Sequence, residues 1–306
     1  MDIAHLVSPP PINLPWPLRG WVEQSAADFI VAPKLDLTKP PGEEALVAPD
    51  SMSWRIFKNP VALFVGGIAA VILELAEPRV RSGVWDRTTF RKDPLTRLRR
   101  TGAAAMVTVY GARSQAEAMI ADVRRRHGHV TGVTPAGMAY EANDPVLLDW
   151  VQATAAFGFI EAYNRFVRPL SIAEQNRVYA EGTNSAKLYG AMHTPSSRAE
   201  LDAQFQAMRP HLEASPIVHE FLDIIHRAPV MPPLIKPAQH MMVRAAVEMV
   251  PGWTKKLLGI EGKGLRPFEG ALLRRAGAFA DRVVIANGPA GQACQRLGLP
   301  VDYLYR

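Results

Sequence analysis

The stretch Asn59-Pro60-Val61-Ala62-Leu63-Phe64-Val65-Gly66-Gly67-Ile68-Ala69-Ala70-Val71-Ile72-Leu73-Glu74-Leu75-Ala76-Glu77-Pro78 decides the fold. Asn59 offers a side-chain oxygen to the first free amides of a helix, and Pro60 suits a first turn, where no amide proton is needed. The apolar run Val61–Ala76 falls short of the roughly 20 residues that span a bilayer, and it carries Glu74. It reads as a helix at the centre of a core, ending near Glu77-Pro78.

The same punctuation recurs outward from it. Asp93-Pro94 precedes a helix over Leu95–Tyr110 that Gly111 ends, and Ser114-Gln115-Ala116-Glu117 reads as a capping box for a helix to about His127. Asp144-Pro145 opens a long helix from Val146 to about Val167, and Ser171 with Glu174 and Ser197 with Glu200 read as further boxes. Pro229, Pro232, Pro233 and Pro237 make a stiff crossover to a helix through Met241–Met249, and a last helix lies around Glu269–Ala280. There is no internal repeat, no glycine-rich phosphate loop and almost no alternating β pattern. The expectation is an all-α fold with one large helical domain over residues 51–284. An extended, proline-rich arm over 1–50 precedes it, and a tail over 285–306 packs on it.

Composition narrows the function classes. The 306 residues are 48% hydrophobic and 21% charged, which excludes wholesale disorder. A single cysteine, Cys294, excludes an internal disulfide framework and a cysteine-only zinc or iron–sulfur site. The 35 basic and 29 acidic side chains leave +6, too mild to imply nucleic-acid binding without a concentrated basic face. The first 17 residues lack a basic start followed by an apolar run, so a secretory signal is not expected. The expected location is cytoplasmic, with peripheral membrane contact open.

Three segments could carry chemistry. Arg124-Arg125-Arg126-His127-Gly128-His129 closes a helix, where basic groups complement the negative end of the macrodipole. The same segment could also present an imidazole to a metal, with arginines for the propionates of a haem. His127 and His129 diverge by about 200° on a helix, which disfavours zinc more than a haem needing one protein ligand. Arg97 and Thr101 share one helix face with Arg100 nearby, and Gly102-Ala103-Ala104-Ala105 then allows close approach by a flat group or by another helix. In Trp150-Val151-Gln152-Ala153-Thr154, the polar Gln152 and Thr154 either hydrogen-bond inside the core or face a cavity. His193, His211, His219, His226 and His240 are scattered, and no Ser/His/Asp order, His-Glu-x-x-His or Glu-x-x-His pair is present.

Read together, Leu73-Glu74-Leu75-Ala76-Glu77-Pro78, Phe90-Arg91-Lys92-Asp93-Pro94, Arg97 with Arg100-Thr101, His127-x-x-Val130-x-Gly132, Tyr140-x-Ala142-Asn143-Asp144-Pro145 and Trp150-Val151-x-Ala153-Thr154 resemble a family of haem oxygenases. That family includes rubber (latex-clearing) oxygenase and the mycophenolic-acid-pathway oxygenase. The likeness continues through Val250-Pro251-Gly252-Trp253, covering about Asn59 to Ile260. It implies helices packed around a central cavity that holds haem b, with His127 as the iron ligand. The other haem face would be lined by Arg97, Arg100 and Thr101, with Gln152 nearby. Arg97 and Thr101 would serve bound oxygen, and Glu77 would act as a base or as the arginine partner. Arg100 falls where rubber oxygenase has a lysine able to approach the iron; an always-protonated arginine could not ligate it. Many relatives have histidine at the positions of Glu77 and Gln152. The implied activity is oxygenation of a hydrophobic small molecule or polymer by dioxygen. The competing expectations are a haem- or lipid-binding helical protein without turnover and a haem-free scaffold of the same fold.

Overall fold

The computed structural model describes residues 10–13, 15, 35–88 and 90–305. The described residues are predominantly helical. The helices are α1 (Met52–Phe57), α2 (Pro60–Glu74), α3 (Pro78–Arg87), α4 (Pro94–Tyr110) and α5 (Arg113–His127), then α6 (Pro145–Phe166), α7 (Ile172–Tyr189), α8 (Arg198–Met208) and α9 (Pro216–Arg227), and finally α10 (Lys236–Met249), α11 (Gly252–Leu258), α12 (Glu269–Ala280) and α13 (Pro289–Arg296). Between α5 and α6 a short antiparallel hairpin pairs β1 (Thr131–Val133) with β2 (Ala139–Glu141). No alternating pattern announces this hairpin. Gly132 faces Tyr140 across it, and any Cβ there would stand 2.6 Å from the Tyr140 hydroxyl.

The apolar run does form the central helix. Asn59 Oδ1 accepts from the amides of Val61 and Ala62, and nearly every α2 side chain is buried. Its main neighbour is α6, and α10 packs on another side. Two glycines set how close α2 and α6 come. A Cβ on Gly158 would stand 2.3 Å from the Gly66 carbonyl oxygen, and one on Gly66 would stand 2.7 Å from that of Gly158. Backbone touches backbone at this crossing, so residues a few positions either way are held across from each other at short range.

At the start of α2 the polar groups are also tied down. Asn59 Nδ2 donates to Gly277 O at 3.0 Å, and the buried Lys58 ammonium pairs with Asp281 at 2.8 Å. Tyr163 donates to the other Asp281 oxygen at 3.1 Å. These bonds anchor α12 to the core helices.

Most helix boundaries follow their caps. Asp93, Asp144 and Ser171 each accept a first-turn amide, and Ser171 with Glu174 closes a full capping box. Two boundaries differ. The Ser114 box does not form: α5 starts at Arg113, and the Ser114 amide and hydroxyl both bond the Glu43 carboxylate, a stronger acceptor brought in from the segment before α1. The box at α8 is half-formed, because Glu200 bonds Ser196 instead of returning to Ser197. The helix expected over Met241–Met249 begins earlier, at Lys236, with Pro237 in its first turn.

The arm over 1–50 lies largely outside the described residues. Its described part meets the tail. Leu37, Ala45 and Val47 share a second apolar cluster with Trp54, Tyr110, Cys294 and Leu304. Arg296 donates to the carbonyls of Leu37 and Glu43. Among the described residues no single helix is long and apolar enough to cross a membrane; α2 and α3 would pass only as a pair bent by 111°.

Candidate functional site

α2 ends at Glu74, two turns beyond the Gly66–Gly158 crossing, while Thr154 lies one turn back from the crossing on α6. The antiparallel close approach therefore places the Glu74 carboxyl beside the Thr154 hydroxyl. Glu74 sits deep among protein atoms yet keeps some accessible surface. Burial pushes its pKa up from 4.5 to about 7, against the pull of the Arg97 guanidinium and the Thr154 hydroxyl. Thr154 has one proton to give, and its hydroxyl also lies 2.9 Å from the Val151 carbonyl oxygen.

Arg97, on the first turns of α4, is half-buried. Burial lowers the pKa of its guanidinium, Glu74 raises it and Arg100 lowers it again; the group stays cationic at neutral pH. Thr101 holds it in place: its hydroxyl accepts from Arg97 Nη1 and donates to the Arg97 carbonyl at 3.0 Å. The same guanidinium acts on a third element. The pKa of His127, at the end of α5, is lowered from 6.5 by burial and then by Arg97. Arg97 is thus electrostatically shared between a carboxyl on α2 and an imidazole on α5.

His127 is half-buried, and its Nδ1 is enclosed without a hydrogen-bond partner among the described residues. Held neutral, the imidazole keeps a lone pair that a metal could use. Along α4 the successive residues Gly102, Ala103, Ala104 and Ala105 are each only partly covered, although they make a full helical turn. Such a small-residue turn can be approached closely by a flat group. No cluster of three or more His, Cys, Asp or Glu side chains able to hold a metal ion occurs among the described residues. The donor set on offer is one imidazole. That fits a macrocycle bringing its own four nitrogens and does not fit a protein-only metal centre.

The other expected site residues fall as follows. Glu77 caps α3: Oε2 accepts from Val80 N at 2.8 Å and Oε1 from Arg79 Nε at 2.7 Å, and the side chain is fully covered. Its oxygens are committed within its own turn, and the carboxyl that faces Arg97 is Glu74. In the sequence Glu74 stands out only as a lone charge in an apolar helix. Arg100 is exposed and acts on Asp93 and Arg97 through charge alone. Gln152 is half-buried and about 200° around α6 from Thr154, away from the Glu74 contact. Arg125 and Arg126 both pair with Asp122.

The remaining described histidines away from α5 are mostly committed elsewhere. His219 bonds Leu258 O, His226 bonds Leu222 O, His240 bonds His226 O, and His193 bonds Asp149. A surface depression of about 350 Å³ beside His193 and Gln204 is remote in sequence from Glu74, Arg97, His127 and Thr154. It is shallow and open, and the convergence of Glu74, Arg97, His127 and Thr154 is the better candidate because charged groups from separate helices act on one another there.

A family model described as "ER-bound oxygenase mpaB/B'/Rubber oxygenase, catalytic domain" matches residues 54–282. Searches of curated proteins and of solved structures return no match. The matched span starts within α1, ends just after α12, and contains all four converging residues.

Proposed function

Because the chain belongs to the mpaB/rubber oxygenase catalytic-domain family, we propose that it is a haem b-dependent oxygenase acting on a hydrophobic organic substrate, with His127 as the protein ligand to iron. The observation that carries this reading is the neutral, half-open His127 imidazole under the influence of Arg97. When bound, haem would supply the centre at which dioxygen is activated.

The chain's own groups have defined tasks in this reading. The His127 imidazole would hold the cofactor. Arg97 offers fixed guanidinium protons to developing negative charge, in surroundings where burial strengthens them. Thr101 keeps Arg97 in its rotamer. Glu74, with a pKa of about 7, can hold or release a proton at its carboxyl near neutral pH, and the role expected of Glu77 passes to it. The Gly102–Ala105 turn and the surrounding apolar helices exclude water and favour an apolar substrate.

One observation favours a second reading, a haem-binding protein without turnover. The resemblance puts Glu77 and Gln152 where many relatives have histidine, and Glu77 is saturated as a helix cap. Haem titration separates the outcomes. The oxygenase reading expects a Soret band that His127→Ala abolishes, together with oxygen uptake on unsaturated apolar compounds. A Soret band without oxygen uptake supports the second reading. A band unchanged in His127→Ala overturns the ligand assignment, and no band at all leaves a haem-free scaffold.

A further inference from the structure

α12 is built inside out for a surface helix. Its only fully buried side is Leu273 and Gly277; a Cβ on Gly277 would stand 2.1 Å from the Phe166 carbonyl oxygen, so the helix backbone touches the C-terminal end of α6. Opposite that contact, Leu272, Arg275, Ala276 and Phe279 follow an i, i+3, i+4, i+7 spacing and share an arc of about 100°. Leu272 is 58% exposed and Phe279 52%, and one turn earlier Phe268 is 90% exposed. A solvated helix would carry polar side chains here. Arg275 lies within this arc and Arg274 stands about 100° further round at its flank, where a Cβ on Gly270 would stand 3.6 Å from its Nη1; neither arginine has a hydrogen bond or ion pair among the described residues. The acid of the helix, Glu269, is turned away and bound to Arg244 and to the Arg266 amide.

A second observation falls on the same patch. Phe268 has φ +69°, and it is the only non-glycine residue with positive φ among the described residues. A bulky aromatic side chain in the left-handed region costs free energy that no intramolecular packing returns, since the ring is almost wholly in solvent.

We infer that the outer face of α12, with Phe268, docks on an anionic lipid surface: the apolar side chains enter the headgroup boundary and Arg275, with Arg274 at the flank, meets lipid phosphates. Charge selects this partner. A second copy across a twofold axis would bring unpaired arginines toward unpaired arginines, in a chain already at +6, whereas a membrane rich in acidic headgroups neutralises them. Phenylalanine and leucine flanked by arginine on a flat-lying helix is the pattern of interfacial attachment. The face lies by the start of α2, where Asn59 bonds Gly277 O, whereas Glu74 lies at the other end of that helix. Docking is therefore separable from the chemistry at Arg97 and His127.

Co-sedimentation of the full chain tests this with phosphatidylcholine vesicles and with vesicles containing about one-third phosphatidylglycerol. Binding to the anionic vesicles only, weakened by salt, is expected. Arg274→Glu with Arg275→Glu should lower the partition at least about tenfold. Phe268→Ser, Leu272→Ser and Phe279→Ser together should abolish it. Phe268→Gly controls for folding: it should raise the melting temperature by relieving the backbone while weakening vesicle binding. Failure of the native chain to sediment overturns the inference, as does unchanged binding by the arginine or serine variants. So does a concentration-dependent dimer in sedimentation velocity that the serine variants abolish, which would assign the face to a second copy.

Discussion

Glu74→Gln is the sharpest test of the site, because the substitution keeps the shape of the side chain and removes only its titration. In the folded chain the carboxyl has a pKa of about 7, against 4.5 for an ordinary glutamate. Between those values the folded protein holds a proton that the unfolded chain has released, so stability falls as pH rises. Below 4.5 both states are protonated, and above about 7 both are ionised, so the slope vanishes at each end. The full interval corresponds to about 3 kcal/mol, of which about 2.5 kcal/mol falls between pH 5 and 8. Glutamine has no such term. Urea unfolding of both proteins at pH 5, 6, 7 and 8 should show the variant gaining on the native chain by that amount across the series. The attraction of Arg97 for the ionised carboxyl is already contained in that pKa, and the absolute offset from exchanging the carboxyl for an amide does not titrate, so the slope isolates the carboxyl. A difference flat in pH would refute the burial of Glu74 and its place in the site.

Other expectations are independent of that one. Gly158→Ala should destabilise by about 2 kcal/mol or more, because a Cβ 2.3 Å from a backbone oxygen forces α2 and α6 apart by about 1 Å, which outweighs the gain in helix propensity. Gly182→Ala, in α7 with nothing within 4 Å of the new methyl, should instead stabilise by about 0.5–1 kcal/mol; thermal melts of the two variants check both signs. Asp281→Ala strands the buried Lys58 ammonium and should cost about 3–5 kcal/mol in urea unfolding, part of which Lys58→Met restores in the double variant. Arg97→Ala should raise the His127 pKa toward 6.5, visible in the imidazole proton shifts; no change would mean that Arg97 does not act on His127.

The histidine assignment illustrates how a site becomes legible. His127 and the Arg97–Thr101 pair stand in the sequence because each sits in a patterned segment, and the structure connects them electrostatically. Glu77 looked equally suitable as a base. It is an N-cap, and an N-cap carboxylate gives its oxygens to the first free amides of its own helix, here Val80 N. Glu74, three residues earlier, has no such local claim on it and faces the interior. Spacing along the chain cannot separate the two, because what distinguishes them is which way the chain turns between α2 and α3.

The sequence by itself determined the elements: where helices begin, since an oxygen acceptor before a proline satisfies free amides locally, and which helix is central, since Val61–Leu73 has no polar face to give to water. Both are decided within a few residues. Only the tertiary structure decided the partners. The glycine contact between α2 and α6, 92 positions apart, brings Glu74 to Thr154. The fold then sets Arg97 between Glu74 and His127, and the packing of Gly277 on Phe166 turns Leu272 and Phe279 outward. Close approach, burial and the proton affinity that follows from them belong to surfaces meeting, and no stretch of the chain carries that information until the opposing surface is in place.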